Sequence, residues 1–312
     1  MILSIDIGGT AVKMGLIDRE GTIHARHEAS VCYDNYHTPI LTTVIREAKA
    51  FLAQQNAVIE GVGVSATGQV DDREGVVIGT NGKIPHYEGS PIKREMEREF
   101  GVPAFALNDA NAAALGECFA GRAKGVENVL MITLGTGVGG GIILDGSMVF
   151  GMSGLGGEIG HVVVNPDETT PCNCGQYGCL DQTASATGIV RAAKRLLDES
   201  ADDSSLRALE TITARDVVDA ARHGDALAEK AFDRCMYFLG KSMAMLTNIL
   251  DPDVYIIGGG VSKAGDYLVD TVKKHYEALA TLSERRADIV LAKLGNDAGI
   301  YGAAKLAMDS AR

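Results

Sequence analysis

One stretch of this sequence occurs twice, and the repeat constrains the fold more than any other feature. LSIDIGGTAVKMGLID at residues 3–18 aligns without gaps to LMITLGTGVGGGIILD at residues 130–145. Each copy has an apolar run, a glycine-rich turn and a second apolar run, which predicts two strands joined by a tight turn. The repeat therefore predicts a duplicated α/β unit. The coinciding residues are Leu3/Leu130, Ile5/Ile132, Gly8/Gly135 and Asp18/Asp145.

The segments that follow each copy alternate between helical and strand patterns. After the first copy we expect helices at residues 38–55, 91–100 and 110–120 and strands at 62–65 and 103–107. After the second copy we expect helices at residues 186–198, 213–222, 225–250, 264–278 and 300–308 and strands at 254–257 and 287–291. This order predicts the α/β class, and a length of 312 residues suggests two domains.

Charge and hydropathy argue against two classes of protein. The net charge of −12 argues against broad nucleic-acid binding. No apolar run approaches the roughly 18 residues of a membrane span. The N-terminus MILSIDIGGT has no basic region and enters a strand at once, which is not the pattern of a signal peptide. Cys32, Cys118 and Cys235 are scattered along the chain, which suits a reducing cytosol, so we expect a cytoplasmic protein.

The two glycine turns of the repeat are candidate phosphate loops. Glycine lets backbone N–H groups approach phosphate oxygens without a Cβ in the way. In the first copy Asp6 can reach a Mg²⁺ ion, and Thr10 and Lys13 can reach a phosphate. A plain hairpin turn is the alternative for each copy.

Two further glycine patterns are typical of nucleotide-binding loops. Gly135, Gly137 and Gly140 match the dinucleotide fingerprint G-x-G-x-x-G, but residues 140–145 are strand-like where the fingerprint should open a helix. The GGG run at residues 258–260 follows a strand and precedes a helix, where a base or ribose can lie against the backbone. A plain strand-to-helix turn is the alternative for this run.

Asn108 and Asp109 fall between a predicted strand and a predicted helix. Asn and Asp are preferred helix N-caps, which is the simplest interpretation of the pair. The carboxyl ends of strands are also where α/β proteins gather their ligands. A carboxylate at this place can orient a substrate hydroxyl and accept its proton. Asp109 is therefore a candidate general base.

A cluster of metal-binding side chains follows the second copy of the repeat. Cys172, Cys174 and Cys179 fall within eight residues, and His161 precedes them by eleven. Four such ligands can close a tetrahedral, structural zinc site. A disulfide with a spare thiol is the alternative. Glu158 lies beside the cluster in a glycine-rich loop and is a candidate polar group of the same site.

Taken together, these motifs resemble those of the ROK family, which contains bacterial glucokinases, fructokinases, N-acetylmannosamine kinases, β-glucoside kinases and sugar-responsive repressors. The histidine and three-cysteine signature is specific to that family, and the motifs span nearly the whole chain in the family's order. The matching residues are DIGGT at 6–10 with Lys13, LNDA at 107–110, LGTGVGGG at 134–141, EIGH at 158–161, CNCGQYGC at 172–179 and IGGGVS at 257–262.

The resemblance implies an actin-like, ribonuclease H-like fold of two α/β domains with a ligand cleft between them. We place the small domain at residues 1–107 with 300–312 and the large domain, with its zinc loop, at 108–299. The resemblance also implies ATP, Mg²⁺ and a structural Zn²⁺, with transfer of the γ-phosphoryl group to a sugar hydroxyl, usually the 6-hydroxyl. We expect a homodimer or homotetramer without nucleic-acid or membrane partners.

The resemblance also assigns roles to individual residues. Asp109 is the implied base, and His161 uses one ring nitrogen on zinc and the other on the sugar. The implied sugar contacts are Gly68, Asn81, Asn108, Asp109, Glu158, His161 and Asp181. The implied ATP and Mg²⁺ contacts are Asp6, Gly8, Gly9, Thr10, Lys13, Thr133, Gly135, Thr136, Gly137, Gly258, Gly259 and Gly260. The implied zinc ligands are His161, Cys172, Cys174 and Cys179.

One residue departs from the family pattern. The family usually has Glu after the last cysteine ligand, where this chain has Asp181, and that Glu typically contacts hydroxyls near the anomeric carbon. Asp is one methylene shorter, which leaves the identity of the sugar open. We expect a glucokinase, with N-acetylmannosamine kinase, β-glucoside kinase and fructokinase as alternatives. A sugar-sensing regulator is disfavoured because Asp6 of the first turn leaves no room before it for a DNA-binding domain.

Overall fold

The computed structural model describes residues 1–80, 84–282 and 284–310. The strands are β1 (Ile2–Ile7), β2 (Ala11–Ile17), β3 (Ile23–Ser30), β4 (Gly61–Ala66), β5 (Gln69–Asp71), β6 (Val76–Gly79), β7 (Ala104–Asn108), β8 (Val129–Leu134), β9 (Val138–Leu144), β10 (Ser147–Met148), β11 (Val254–Gly258) and β12 (Asp288–Leu291). The helices are α1 (Ile40–Gln55), α2 (Ile92–Phe100), α3 (Asp109–Phe119), α4 (Leu180–Ala184), α5 (Ala186–Glu199), α6 (Ala214–Arg222), α7 (Ala226–Leu250), α8 (Asp266–Leu279) and α9 (Ala298–Ser310).

The two copies of the repeat form equivalent hairpins in two equivalent sheets. The first sheet has the order β3-β2-β1-β4-β7, and the second has the order β10-β9-β8-β11-β12. In each sheet the first three strands are antiparallel neighbours and the last three are parallel. The predicted duplication of an α/β unit is confirmed, because both the hairpin and the order of the strands around it recur.

The central strands are apolar because helices cover both faces of each sheet. Every residue of β4 is buried, as are all but one residue of β1 and of β8. Continuous apolar runs of this kind are typical of buried parallel strands. One large core lies under the second sheet and its helices, and another lies under the first sheet with α1 and α2.

Helices α3 and α9 connect the two halves at close range. A Cβ on Gly116 of α3 would overlap the carbonyl oxygen of Ala298, and one on Gly302 of α9 would overlap that of Ala112. Gly63 of β4 likewise lies directly against the Ala303 carbonyl. Glycine allows these backbones to touch. As a result α9 packs on the first sheet and against α3 at once.

The parallel strands place the candidate site residues along one edge of the first sheet. Ile7 is in register with Ala66, and Ala66 with Asn108, so β1, β4 and β7 end side by side. In the second sheet Thr133, near the end of β8, is in register with Gly258 at the end of β11. Ligands of α/β proteins bind outside the carboxyl ends of such strands.

The sequence prediction differs from the structure in a few places. The hairpin β5–β6 was not predicted, because two short strands flank a charged turn that has no periodic pattern. The helix predicted at residues 264–278 begins at Asp266, after a 3₁₀ turn at Gly260–Ala264. Across the residues that the structure describes, no helix is long and apolar enough to span a membrane.

Candidate active site

Asn108 caps α3 and also lines a polar cavity. Its Oδ1 accepts hydrogen bonds from the backbone N–H groups of Ala110 at 2.8 Å and Asn111 at 3.2 Å. Its Nδ2 donates to the carbonyl of Gly68 at 2.8 Å and to Asp109 Oδ1 at 3.1 Å. The capping interpretation is confirmed, and the same hydrogen bonds fix Asn108 directly before the candidate base.

Asp109 is the first residue of α3 and is exposed. Protein atoms still crowd around the carboxylate, and this partial desolvation, together with the negative charge of Asp6, raises its pKa to about 6. Hydrogen bonds from Ala110 N–H, the Thr67 hydroxyl and the Asn108 amide act in the opposite direction. A carboxylate whose pKa lies near neutrality is a better general base for a hydroxyl than an ordinary Asp.

Asp6 lies near the end of β1, and β4 lies between β1 and β7 in the sheet. Burial raises its pKa, while a 2.6 Å hydrogen bond from the Ser65 hydroxyl and the charge of Lys13 lower it. Lys13 pairs with Asp6 across the β1–β2 ladder, so both side chains lie on the same face. Gly299 in the first turn of α9 leaves room for the carboxylate, since a Cβ there would lie 2.6 Å from Asp6 Oδ1.

The first glycine turn closes between β1 and β2. Gly8 N–H donates to the Ala11 carbonyl at 2.9 Å, and the Gly9 carbonyl accepts from the Tyr36 hydroxyl at 2.7 Å. The Thr10 carbonyl accepts from Val31 N–H at 3.0 Å. The carbonyl groups of Gly9 and Thr10 are therefore hydrogen-bonded to other segments of the protein, while the Thr10 residue is exposed.

The second glycine turn closes between β8 and β9. Gly135 N–H donates to the Gly137 carbonyl at 2.9 Å. Gly140 lies within β9, so the strand continues past this glycine instead of giving way to a helix. A Cβ on Gly140 would lie 2.5 Å from the Ile159 side chain. The G-x-G-x-x-G pattern at residues 135–140 is therefore not followed by the helix of a dinucleotide-binding loop. The strand-like residues 140–145 predicted this.

The third glycine segment follows β11 beside the second turn. Gly259 has a φ of +83°, and a Cβ there would lie 2.5 Å from the Leu134 carbonyl oxygen at the end of β8. Gly260 faces open space, with no atom within 4 Å of its Cβ position. The loop at 258–260 and the turn at 135–137 therefore lie side by side on the second sheet.

A polar cavity of about 240 Å³ opens beside Asn108. Four of the predicted sugar contacts line it, and Asn81 lies outside the described residues. The hairpin β5–β6 and its flanks form the opposite wall, which sequence reasoning missed because those residues have no motif of their own. The lining residues are Thr67, Gly68, Gln69, Gly79, Thr80, Ile84, Asn108, Glu158 and His161.

Glu158 and His161 reach this cavity from one short 3₁₀ turn at Ile159–His161. His161 Nε2 lies 3.9 Å from Glu158 Oε2, so the two polar groups face the same space. A Cβ on Gly160 would overlap the Val138 carbonyl, which explains why the turn needs glycine at that position. The constrained loop that the glycines predicted is therefore present.

The four predicted metal ligands converge. The ligand atoms of His161, Cys172, Cys174 and Cys179 all lie within 4.8 Å of one another. Cys172 Sγ is 3.6 Å from His161 Nδ1, and Cys174 Sγ is 3.6 Å from Cys179 Sγ. The edge of a tetrahedron with Zn–S bonds of about 2.3 Å is about 3.7 Å, so the donor set fits zinc. The disulfide alternative is wrong, because all three thiols are unpaired.

Asp181 is the second residue of α4 and contacts the second glycine turn. Its Oδ1 accepts a hydrogen bond from Val138 N–H at 2.7 Å, beneath the second glycine turn. Like Asp109, it is not among the residues that line the cavity. The sequence resemblance implies that this residue contacts the sugar, and that role stays a prediction. The contact that the structure gives its carboxylate is with a backbone N–H group.

Comparison with known proteins identifies the family. A model of the ROK family matches residues 2–310, almost the whole chain. This chain belongs to the ROK family. A glucokinase from Halalkalibacterium halodurans is 38% identical over 309 residues, covering 96% of this chain and 92% of the relative. An N-acetylmannosamine kinase from Shigella boydii is 33% identical over 312 residues, covering 98% and 97%.

A solved ROK structure has the same architecture. The ROK family glucokinase from Streptomyces griseus, in complex with glucose and AMPPNP, is 33% identical and superposes with a TM-score of 0.78 over 99% of both chains. The paired sheets of this ROK chain, with their repeated hairpins and strand order, are the actin-like fold of these sugar kinases. The predicted fold is confirmed.

Proposed function

We propose that this ROK protein is an ATP-dependent hexose kinase that transfers the γ-phosphoryl group of ATP to the 6-hydroxyl of glucose. One observation carries the proposal: Asp109, with a pKa of about 6, follows Asn108 of a polar cavity and lies at the edge of the first sheet where β1 enters the first glycine turn. The glucokinase relative and the glucokinase structure with glucose and an ATP analogue support the same reaction.

The geometry divides the work between the two sides of the cleft. A sugar in the cavity contacts the Asn108 amide, the Glu158 carboxylate and the free ring nitrogen of His161. Asp109 accepts the proton of the sugar hydroxyl as that oxygen attacks the γ-phosphorus. Phosphoryl transfer leaves little covalent chemistry to the protein, so positioning and charge stabilisation dominate.

The nucleotide is proposed to lie along the three glycine segments. The first turn (Gly8, Gly9, Thr10, with Lys13) and the second turn (Gly135, Thr136, Gly137, with Thr133 beneath) surround the phosphates. The N–H groups of Gly8 and Gly135 close the turns themselves, and those of the following residues are left for the phosphates. The loop Gly258–Gly260 lies beside the second turn and is free to receive the ribose or base. In this arrangement each domain holds part of the ATP.

Asp6 fits the proposed Mg²⁺. One of its oxygens accepts the Ser65 hydroxyl, and within the described part of the chain its other oxygen accepts no hydrogen bond. Mg²⁺ bound there neutralises charge on the transferring phosphates. Zinc, in contrast, would have four protein ligands in His161 and the three cysteines, which is the pattern of a structural site. It would fix the loop that presents His161 and Glu158.

We further propose that residues 1–107 with 300–312 and residues 108–299 are the two domains that close over the sugar. Closure would exclude water, which competes with the sugar hydroxyl at the γ-phosphorus. Assembly into a homodimer or homotetramer also remains a prediction. The regulator alternative receives no support from the charge, since −12 is unfavourable for contact with DNA phosphates.

A coupled assay of ATP turnover over a panel of sugars tests the proposal. The panel is glucose, N-acetylmannosamine, fructose and a β-glucoside, and Asp109→Asn is the control for background hydrolysis. We expect the highest kcat/KM with glucose. A higher kcat/KM with N-acetylmannosamine would replace glucokinase by the second candidate, which the Shigella boydii relative favours. Failure to phosphorylate any sugar would overturn the kinase assignment.

A further inference from the structure

We propose that Asp181 and the segment that follows it position the second glycine turn, so that Asp181 serves the nucleotide side of the site. This inference rests on the proposed function, because it takes the turn at residues 135–138 to hold ATP phosphates. It assigns Asp181 a different part of the reaction from the sugar contact that the family resemblance implies.

The Asp181 carboxylate lies directly behind the turn. Its Oδ1 accepts a hydrogen bond from Val138 N–H at 2.7 Å. A Cβ on Gly137 would lie only 2.5 Å from the same oxygen. The carboxylate therefore both holds the last peptide of the turn and occupies the space behind Gly137.

Two further hydrogen bonds hold the turn from the same segment. Ala186 N–H donates to the Gly135 carbonyl at 2.9 Å, and the Thr187 hydroxyl donates to the Thr136 carbonyl at 2.9 Å. Three successive parts of the turn are thus bound by three residues that lie within seven positions of one another along the chain. A plain hairpin turn needs no such support.

The supporting segment is itself rigid. The Ser185 hydroxyl donates to the Asp181 carbonyl at 2.6 Å and accepts from Gly188 N–H at 3.1 Å, so it ties the end of α4 to the start of α5. The segment begins two residues after the metal ligand Cys179, and Leu180 N–H donates to the Val162 carbonyl at 2.9 Å. The metal loop and the glycine turn therefore share one support.

This support leaves the outer face of the turn free for a ligand. In the chain as described, the N–H groups of Thr136 and Gly137 donate to no protein acceptor. Because the carbonyls of residues 135 and 136 and the N–H of Val138 are bound from behind, those two N–H groups remain available on the cleft side. Preorganised donors of this kind favour an anionic ligand without a cost of rearrangement.

A purely structural role is the competing explanation. A carboxylate in the first turn of a helix is common, because it interacts favourably with the helix dipole. Loss of such a residue lowers stability but does not discriminate between nucleotide and sugar. The two explanations therefore differ in whether the affinity for nucleotide changes separately from the affinity for sugar.

The test compares Asp181→Ala, Asp181→Asn and Thr187→Val with the parent. The amide oxygen of Asn still accepts the hydrogen bond from Val138, whereas Ala cannot. Asp216→Ala is the matched structural control, because Asp216 accepts hydrogen bonds from Thr213 in the capping box of α6, a helix that holds none of the proposed nucleotide or sugar contacts. Calorimetry gives the Kd for Mg·AMPPNP, and steady-state kinetics give KM for ATP and for sugar.

We expect Asp181→Ala to raise the Kd for Mg·AMPPNP by about 10-fold or more, the loss of one charge-assisted hydrogen bond. We expect Asp181→Asn to stay within about threefold, Thr187→Val to weaken binding in the same direction, and the sugar KM to stay unchanged in all three. Because Thr187→Val removes only a hydroxyl, it keeps the test informative if Asp181→Ala does not fold.

Two results would overturn the inference. One is a sugar KM that rises in Asp181→Ala while the Kd for Mg·AMPPNP equals that of the parent. The other is a loss of thermal stability like that of Asp216→Ala with both affinities unchanged. Failure of the proposed function looks different, because the parent protein itself would then bind no Mg·AMPPNP or phosphorylate no sugar.

Discussion

After desolvation, the negative charge of Asp6 in β1 is the next cause that raises the pKa of Asp109, the residue that begins α3 directly after β7. Asp6 is the proposed Mg²⁺ contact, and Asp109 is the proposed base. A cation bound at Asp6 would neutralise that charge and so remove the second of the two causes of the raised pKa, while the larger cause, desolvation, stays. Binding of Mg·ATP is therefore expected to lower the pKa of the base at the moment when it must accept a proton.

The pH profile of the reaction should report the ionisation of Asp109. The base acts only when it is deprotonated, and its pKa in the unliganded protein is about 6. We expect kcat/KM measured against Mg·ATP, which reports this free form, to be flat above pH 7 and to fall about tenfold per unit below pH 6. Under saturating Mg·ATP the inflection should move to lower pH. A profile that is flat down to pH 5 in both experiments would contradict the assignment.

Asp109→Asn should separate catalysis from binding. Asn keeps the size and the capping ability of Asp but loses the basic oxygen, so we expect kcat to fall by roughly 10²–10⁴-fold with sugar binding largely kept. Turnover within a few-fold of the parent would show that another group accepts the proton. Steady-state kinetics together with calorimetric sugar binding provide the two readouts.

The same variant makes a prediction about stability. The pKa of Asp109 in the folded protein lies above its ordinary value of 3.8, so the folded state binds the proton more tightly than the unfolded state. The stability that this group contributes is complete below pH 3.8 and is lost as the pH rises through about 6. Asp109→Asn should therefore melt at a higher temperature than the parent at pH 7.5, with a smaller difference at pH 5. An equal difference at both pH values would contradict the raised pKa.

Cys174→Ser should weaken the metal site and the loop together. Cys174 is the exposed member of the four ligands, so its substitution disturbs little packing besides the metal. Elemental analysis should find about one zinc per chain in the parent and less in the variant, with a lower melting temperature, because folding of the loop is linked to metal binding. Cys118→Ser, a half-buried cysteine outside the cluster, is the control. Full loss of zinc with unchanged sugar affinity would show that the loop does not shape the sugar site.

Gly137→Val should impair the nucleotide side alone. A β-branched side chain there collides with Asp181 behind the turn and blocks the approach of a phosphate in front of it. We expect the KM for ATP to rise about 10-fold or more while sugar binding by calorimetry is unchanged. If the KM for ATP does not change, the simpler interpretation of residues 135–137 as a hairpin turn is correct.

Gly63→Ala tests the contact between β4 and α9. A Cβ at residue 63 would overlap the Ala303 carbonyl, so the helix must move away from the sheet. We expect the free energy of unfolding to fall by about 1–3 kcal/mol. Gly260→Ala is the matched control, since open space surrounds its Cβ position, and it should change stability by less than about 0.5 kcal/mol. If chemical denaturation gives Gly63→Ala the same free energy of unfolding as the parent, the close contact between β4 and α9 does not contribute to stability.

The sequence by itself determined the features that depend on short-range patterns. The repeated strand–turn–strand predicted both hairpins, because apolar periodicity and glycine turns act within a few residues. The ligands from His161 to Cys179 were predicted because zinc needs four donors at close spacing, and one local loop supplies them all. The capping preference of Asn108 likewise marked the start of α3 and hence the position of Asp109.

Only the tertiary structure decided how distant residues act on each other. Parallel strands brought Asp6 beside Asp109, and the pKa of about 6 exists because folding partly removes water from one carboxylate near the charge of another. The β5–β6 wall of the cavity carries no pattern in the sequence, because its short strands owe their place to packing. The Asp181 side chain is oriented by its hydrogen bond with the backbone N–H group of Val138. These two groups meet only after β9 and α4 have packed together. No sequence pattern within a single segment predicts that contact.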